Sequence, residues 1–181
     1  MAVPTRFAML RSIPPTLLFV TFAVITARFS IPRLPYLDID RIYCAADSSS
    51  VPGECYWFAP SGIYRWALQL HLGSILPAAL LACVQFLPSS LRPSVGYDKL
   101  HRANGYLIIF LALIASASAF VLTHIALGAT FHTRFGISLI NFMFLLGLYR
   151  AYAAVRNSRL DLHRAWMLRA CSWVSRFYFR S

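Results

Sequence analysis

Acidic side chains are scarce in this chain: 6 of 181 residues are Asp or Glu, and none falls inside an apolar run. That excludes a proton-coupled transporter working through a carboxylate at mid-membrane depth, and it excludes a paired-carboxylate hydrolase. Also missing are a hydrolytic triad, a glycine-rich phosphate loop, closely spaced zinc-type cysteine pairs and any low-complexity tract. Nucleotide-loop and zinc-finger chemistry have no foothold here.

What the sequence has in excess is apolar surface. Hydrophobic residues make up 59% of the chain against 13% charged, and the mean hydropathy is +0.61. A composition of this kind belongs to an integral membrane protein rather than a soluble domain. The formal charge is +11, from 17 Lys and Arg. In a soluble protein that balance would point to nucleic acid, but here the basic residues cluster in short connections between apolar segments, so no nucleic-acid partner is expected.

A helix needs roughly 20 apolar residues to cross a bilayer core of about 30 Å. Five stretches approach that length: about 14–31, 63–87, 103–127, 135–155 and an incomplete one over 165–181. The expected fold class is an all-α, polytopic transmembrane helix bundle with four spans plus a partial fifth helix. Its divisions are an N-terminal signal-anchor or signal-like span over 1–31, an outer loop over 32–62 and a helical membrane domain over 63–181. The first stretch has a short core, TLLFVTFAVITA, preceded by Arg6 and Arg11, so it reads either as an uncleaved anchor or as a cleaved signal ending near Ile-Thr-Ala. The last, WMLRACSWVSRFYFRS, carries Arg169, Arg176 and Arg180. It reads as an amphipathic interfacial helix or as the start of a span whose remainder lies beyond this chain.

Basic residues near the span ends set the orientation. One side collects Arg6, Arg11, Arg92, Lys99, Arg102, Arg150, Arg156, Arg159, Arg164 and Arg169. The other has Arg28, Arg33, Arg41, Arg65 and Arg134, offset by Asp38, Asp40, Asp47 and Glu54. The amino terminus is thus expected in the cytoplasm, in the endoplasmic reticulum or plasma membrane. Cys44 and Cys55 then lie in a loop on the oxidising side, where a disulfide is expected. Cys83 and Cys171 read as small apolar helix residues.

Histidines supply the candidate chemistry. An ionisable residue within a span is costly and marks a functional hypothesis, which singles out His71 and His124. His71 lies about 12 Å along a helix starting at Ile63, and His124 about 5 Å from the same surface, so the two are expected to face each other. His101 and His163 form a second set at the inner helix ends, each behind an expected N-cap, Asp98 or Asp161. The positive helix end and the adjacent Arg102 or Arg164 favour neutral imidazole, the form that ligates iron. His132, in GATFHTRFG, reads as a loop residue.

Two levels of histidine pairs resemble the architecture of the di-haem b-type transmembrane cytochromes, which would imply haem b. In that family four helices each supply a ligand, whereas FGISLINFMFLLGLYRAY has no histidine. In the alternative reading LHRA, present at 100–103 and 162–165, is an interfacial motif: leucine faces the core, His and Arg meet lipid phosphate or loop carbonyls, and alanine permits close packing. Gln69, Gln85, Thr123 and Asn141 are expected to join helices by hydrogen bonds, and Pro77 to kink the second span.

The ordered motifs HLGSILPAALLACVQFLPSSLR, HRANGY and LHRAWMLR carry a further resemblance. From about Tyr64 to Met167 the chain resembles the predicted membrane proteins numbered 2306 among domains of unknown function. That implies a multi-span membrane protein and no particular activity. Similar proteins continue beyond the WM motif, so a truncated or divergent end is expected. The 62-residue spacing of the LHRA copies fits a repeat of two-span units.

Three functions stay open. The first is a histidine-ligated haem or redox protein using His71, His124, His101 and His163. The second is a non-catalytic component that binds lipid or a partner protein through Arg102, Arg164 and Arg169. The third is a membrane enzyme acting on an apolar small molecule, with His71 or His124 as acid or base.

Overall fold

The computed structural model describes residues 15–44, 54–59, 62–93, 95–125 and 130–178. Arg6, Arg11, Asp47 and Arg180, used above for orientation or for the chain's end, lie outside the described residues. The described chain is all-α and contains no strand. Its helices are α1 (Pro15–Ser30), α2 (Ile39–Tyr43), α3 (Glu54–Phe58), α4 (Ile63–Gln85), α5 (Tyr97–Leu122), α6 (Phe131–Arg156) and α7 (Leu160–Tyr178), with 3-10 turns at Ile31–Leu37 and Ser89–Leu91.

Three of these, α4, α5 and α6, are long and apolar enough to cross a membrane. Of the expected four spans and partial fifth helix, these three meet that measure among the described residues. With 16 residues, α1 rises about 24 Å, short of a bilayer core. It also sits displaced: Phe22, midway along α1, meets Phe86 at the end of α4, with ring centroids 5.4 Å apart. In its 19 residues α7 carries Asp161, Arg164, Arg169 and Arg176, too many charges for an ordinary span.

The architecture is two helical hairpins. α4 packs against α5, and α6 against α7, along most of their lengths, while α5 and α6 touch only lightly. Without a hydrophobic drive in lipid, such pairing rests on small residues that let backbones approach and on interhelical hydrogen bonds. α5 presents Ala112, Ala115, Ser116 and Ser118 as buried residues, and α6 presents Gly147, Ala151 and Ala154. Large side chains such as Phe110, Leu113, Phe135 and Phe142 stay exposed, as suits a lipid-facing surface.

Each LHRA copy falls on the second helix of a hairpin, at the same end of the bundle. That end, where α4 turns into α5 and α6 into α7, is the LHRA end. In each hairpin the copy stands near the start of the second helix.

At the other end lies a small folded cap rather than a plain loop. α2 and α3 are joined by the Cys44–Cys55 disulfide, as expected. Closing a loop of this length limits the unfolded chain by about 3 kcal/mol in the loop-entropy account. Ile39, Phe58 and Leu68 form its core, with Tyr43, Tyr64, Leu72, Leu122 and Ile125 packed around them. Asp38 caps α2 by accepting from the Arg41 amide, and the Arg65 guanidinium holds Asp40 through two bonds of 2.7 and 2.8 Å. The same Arg65 donates to the Ala59 carbonyl, so one side chain fastens α2 and the end of α3 to α4.

Candidate functional site

Four of the five histidines were expected in two sets, His71 with His124 and His101 with His163. His71 on α4 lies with Nδ1 2.9 Å from the Ala115 carbonyl of α5. A carbonyl only accepts, so Nδ1 carries the hydrogen, and in the neutral ring Nε2 keeps its lone pair. His124 lies in the turn after α5, exposed, its carbonyl taking a bond from Arg134 Nη2. Ala115 and His124 are nine residues apart, roughly 13 Å along a helix axis. The expected outer pair of His71 and His124 is not assembled, because His71 points across to the middle of α5 while His124 sits at its end.

His163 on α7 repeats the bonding of His71: its Nδ1 lies 3.0 Å from the Ala151 carbonyl of α6. His101 on α5 is different. Its Nδ1 is buried with no hydrogen-bond partner, as is the Tyr97 hydroxyl one turn earlier, and the two rings lie 5.8 Å apart. His163, Arg92 and Arg164 stand near enough to His101 to act on it electrostatically. Among the described residues no group of three or more His, Cys, Asp or Glu gathers to hold a metal ion.

Two local expectations need correction. Gly96, in the left-handed region at φ 80°, precedes α5, and Asp98 lies inside the first turn rather than at the N-cap; Asp161 likewise lies within the first turn of α7. A glycine tolerates that backbone without a Cβ penalty, so the helix starts two residues earlier than an Asp cap would allow. His132 is not in a loop: α6 begins at Phe131, capped by Thr130, whose hydroxyl accepts from the Thr133 amide.

The interhelical bonds follow the expected pattern in part. Gln85 Nε2 donates to the His101 carbonyl at 2.9 Å, and Asn141 Nδ2 to the Ser116 carbonyl at 2.9 Å. Thr123 instead bonds back within its own turn to Phe120. Asn104, overlooked above, donates to the Leu81 carbonyl of α4 at 3.0 Å and is buried. Its position three residues after His101, on the same helix face, was the available signal.

The chemistry that the LHRA end can offer lies in its cations. An open depression of about 450 Å³ is walled by Arg92, Gly96, Tyr97, Asp98, Lys99 and Arg102. Arg92 Nε donates to the Leu87 carbonyl, and its guanidinium lies over the Tyr97 ring, 5.0 Å from the centroid. Arg102 Nε donates to the Asp98 carbonyl at 3.3 Å. Both arginines are thus held by one nitrogen, leaving the terminal nitrogens for an anion. From the sequence Arg92 and Lys99 read as orientation charges, with Arg92 also closing the first family motif; their closeness to Arg102 depends on the turn between α4 and α5.

Of the other basic candidates, Arg164 is exposed beside this layer, while Arg169 stacks over Trp166 at 4.8 Å, with Arg150 approaching the same ring at 5.9 Å. Arg169 belongs to a cation–aromatic cluster one hairpin away from the depression.

A family model described as predicted membrane protein (DUF2306) matches residues 68–177. The matched region runs from α4 to the last turn of α7 and holds both LHRA copies. No curated protein and no solved structure matches the chain.

Proposed function

Because the chain belongs to the DUF2306 family of predicted membrane proteins, we propose that it is a non-catalytic multi-span component whose LHRA end binds anionic lipid headgroups. The observation that carries this reading is the depression bordered by Arg92, Lys99 and Arg102 where α4 turns into α5. Cations at a helix end beside an apolar span meet the bilayer at headgroup depth, where each is drawn to phosphate. Arg156, Arg159 and Arg164 add charge at the same end. By the positive-inside rule that end faces the cytoplasm, and the disulfide cap faces the oxidising side.

The test is lipid binding by the purified full chain in detergent, read by native mass spectrometry with phosphatidylserine and phosphatidylglycerol against phosphatidylcholine. Retention of the anionic lipids, lost when Arg92, Lys99 and Arg102 are all changed to Gln, supports the reading. Equal retention of the zwitterionic lipid overturns it.

A second reading, a single b-type haem at the LHRA end, is favoured by one observation: His101 and His163 are electrostatic neighbours, and the Nδ1 of His163 is fixed on Ala151. A hydrogen-bonded Nδ1 leaves Nε2 oriented for iron. Two haems do not fit, because His71 and His124 lie at different depths. An absorption spectrum of protein expressed with ample haem, oxidised and then reduced with dithionite, decides between the readings. A Soret band lost in both His101→Ala and His163→Ala supports haem, and a featureless spectrum from folded protein removes it.

A further inference from the structure

The depression at the LHRA end carries a finer chemical distinction, which rests on the headgroup reading above. We infer that it is a phosphomonoester site, selecting a lipid whose phosphate ends the headgroup over one whose phosphate is esterified on both sides. Three cations, Arg92, Lys99 and Arg102, border it against one carboxylate, Asp98, a formal balance of +2. A phosphodiester headgroup brings one negative charge and two unesterified oxygens. A phosphomonoester brings close to two charges at neutral pH and three acceptor oxygens, one for each cationic side chain.

The arginines are set for this role before any ligand arrives. Each is held through Nε by a backbone carbonyl, Arg92 by Leu87 and Arg102 by Asp98, so the paired terminal nitrogens can take phosphate oxygens without ordering the whole side chain. The Tyr97 ring under Arg92 fixes the wall on that side. Gly96, also on the rim, has no heavy atom within 4 Å of where a Cβ would stand, so the depression is open on that side.

The surface below the depression favours a lipid over a soluble phosphate. Tyr106, Phe110 and Leu113 are exposed and follow Arg102 at helical spacing down α5. Their aromatic and apolar faces form a continuous stripe from the cations into the bilayer, where acyl chains can lie. A phosphate held at the top of that stripe has its glycerol and chains directed along it.

Lys99 provides a local reporter, since it is the only lysine in the chain. The experiment is amine-reactive footprinting of Lys99, read by mass spectrometry on the purified full chain in neutral detergent. The probes are dioctanoyl phosphatidic acid, dioctanoyl phosphatidylglycerol, dioctanoyl phosphatidylcholine and glycerol 3-phosphate. The expected result is half-protection of Lys99 at a phosphatidic acid concentration at least about tenfold below that for phosphatidylglycerol, with no protection by glycerol 3-phosphate over the same range. Arg102→Gln, at an exposed position, brings the two anionic lipids to within about threefold of each other. Equal protection by the two anionic lipids overturns the phosphomonoester inference and leaves the headgroup reading standing. Protection by neither, relative to phosphatidylcholine, overturns both. Protection by glycerol 3-phosphate as strong as by phosphatidic acid overturns the lipid assignment in favour of a soluble phosphomonoester.

Discussion

His163 on α7 donates from Nδ1 to the carbonyl oxygen of Ala151 on α6, 3.0 Å away. In the first hairpin Asn104 on α5 makes the corresponding tie, to the carbonyl of Leu81 on α4. Both acceptors lie four or five residues from the end of the first helix, and both donors lie in or just after an LHRA turn. The two hairpins thus share a closing device built from different side chains, and His101, the sequence counterpart of His163, is released from that task.

His163→Ala is expected to destabilise the protein by about 0.6 kcal/mol, and by no more than about 2 kcal/mol, the span measured for interhelical hydrogen bonds in membranes. The loss is modest because the Ala151 carbonyl keeps its place in the α6 ladder. Unfolding in detergent by added sodium dodecyl sulfate measures it. A loss above about 4 kcal/mol would mean that His163 holds something more than a helix carbonyl.

His71→Leu removes the bond to Ala115 and is expected to cost about as much. His71 ties α4 to α5 at mid-depth, while His163 ties α6 to α7 near the LHRA end, so the two losses should add within about 0.5 kcal/mol in the double variant. Strong non-additivity in the same denaturation assay would show that the hairpins do not behave as separate units.

The cap should depend on its disulfide. Cys44→Ser with Cys55→Ser, or reduction of the wild-type protein, is expected to remove about 3 kcal/mol of cap stability by freeing the loop between α2 and α3. Hydrogen exchange should rise in α2 and α3 and stay unchanged in α6 and α7. Increased exchange across both hairpins would place the disulfide in the main fold rather than in the cap alone.

Acid should loosen the same cap. Hydrogen bonding by Arg65 holds the Asp40 carboxyl below its ordinary value of 3.8. A depressed carboxyl stabilises fully above its unfolded pKa and loses that contribution as pH falls through the lower folded value, so the effect appears below about pH 4. Asp40→Asn should flatten the acid limb of cap stability followed by hydrogen exchange. Because the pair is exposed to solvent, salt should weaken it as well.

Alkali acts through Tyr43. Burial, with smaller contributions from Glu54 and Tyr36, pushes its phenol up to about 12. A raised phenol contributes stability below its unfolded value near 10 and loses it as pH rises from 10 towards 12. Ultraviolet titration should show a late phenolate step that disappears in Tyr43→Phe. If the titration curve of that variant overlays the wild type, Tyr43 is not buried as described.

Much of this protein could be read from its residues alone. Runs of apolar residues near 20 long fixed α4, α5 and α6, because only a helix satisfies its own backbone in lipid. Charge asymmetry marked the basic end, and Cys44 and Cys55 announced the disulfide because they are paired in one polar segment. Gln85 and Asn141 were recognisable as interhelical donors, since an amide in an apolar run needs a partner.

Tertiary structure decided the rest. Whether His71 meets His124 depends on the relative depth and rotation of α4 and α5, which small-residue packing sets and which a one-dimensional pattern of spans does not contain. Gly96, at φ 80°, set the start of α5 two residues before the point that Asp98 as a cap would give. The same turn brought Arg92 from the end of α4 beside Lys99 and Arg102 at the start of α5. Three cations that the sequence distributes along 11 positions came to border one depression only because the chain reverses between them.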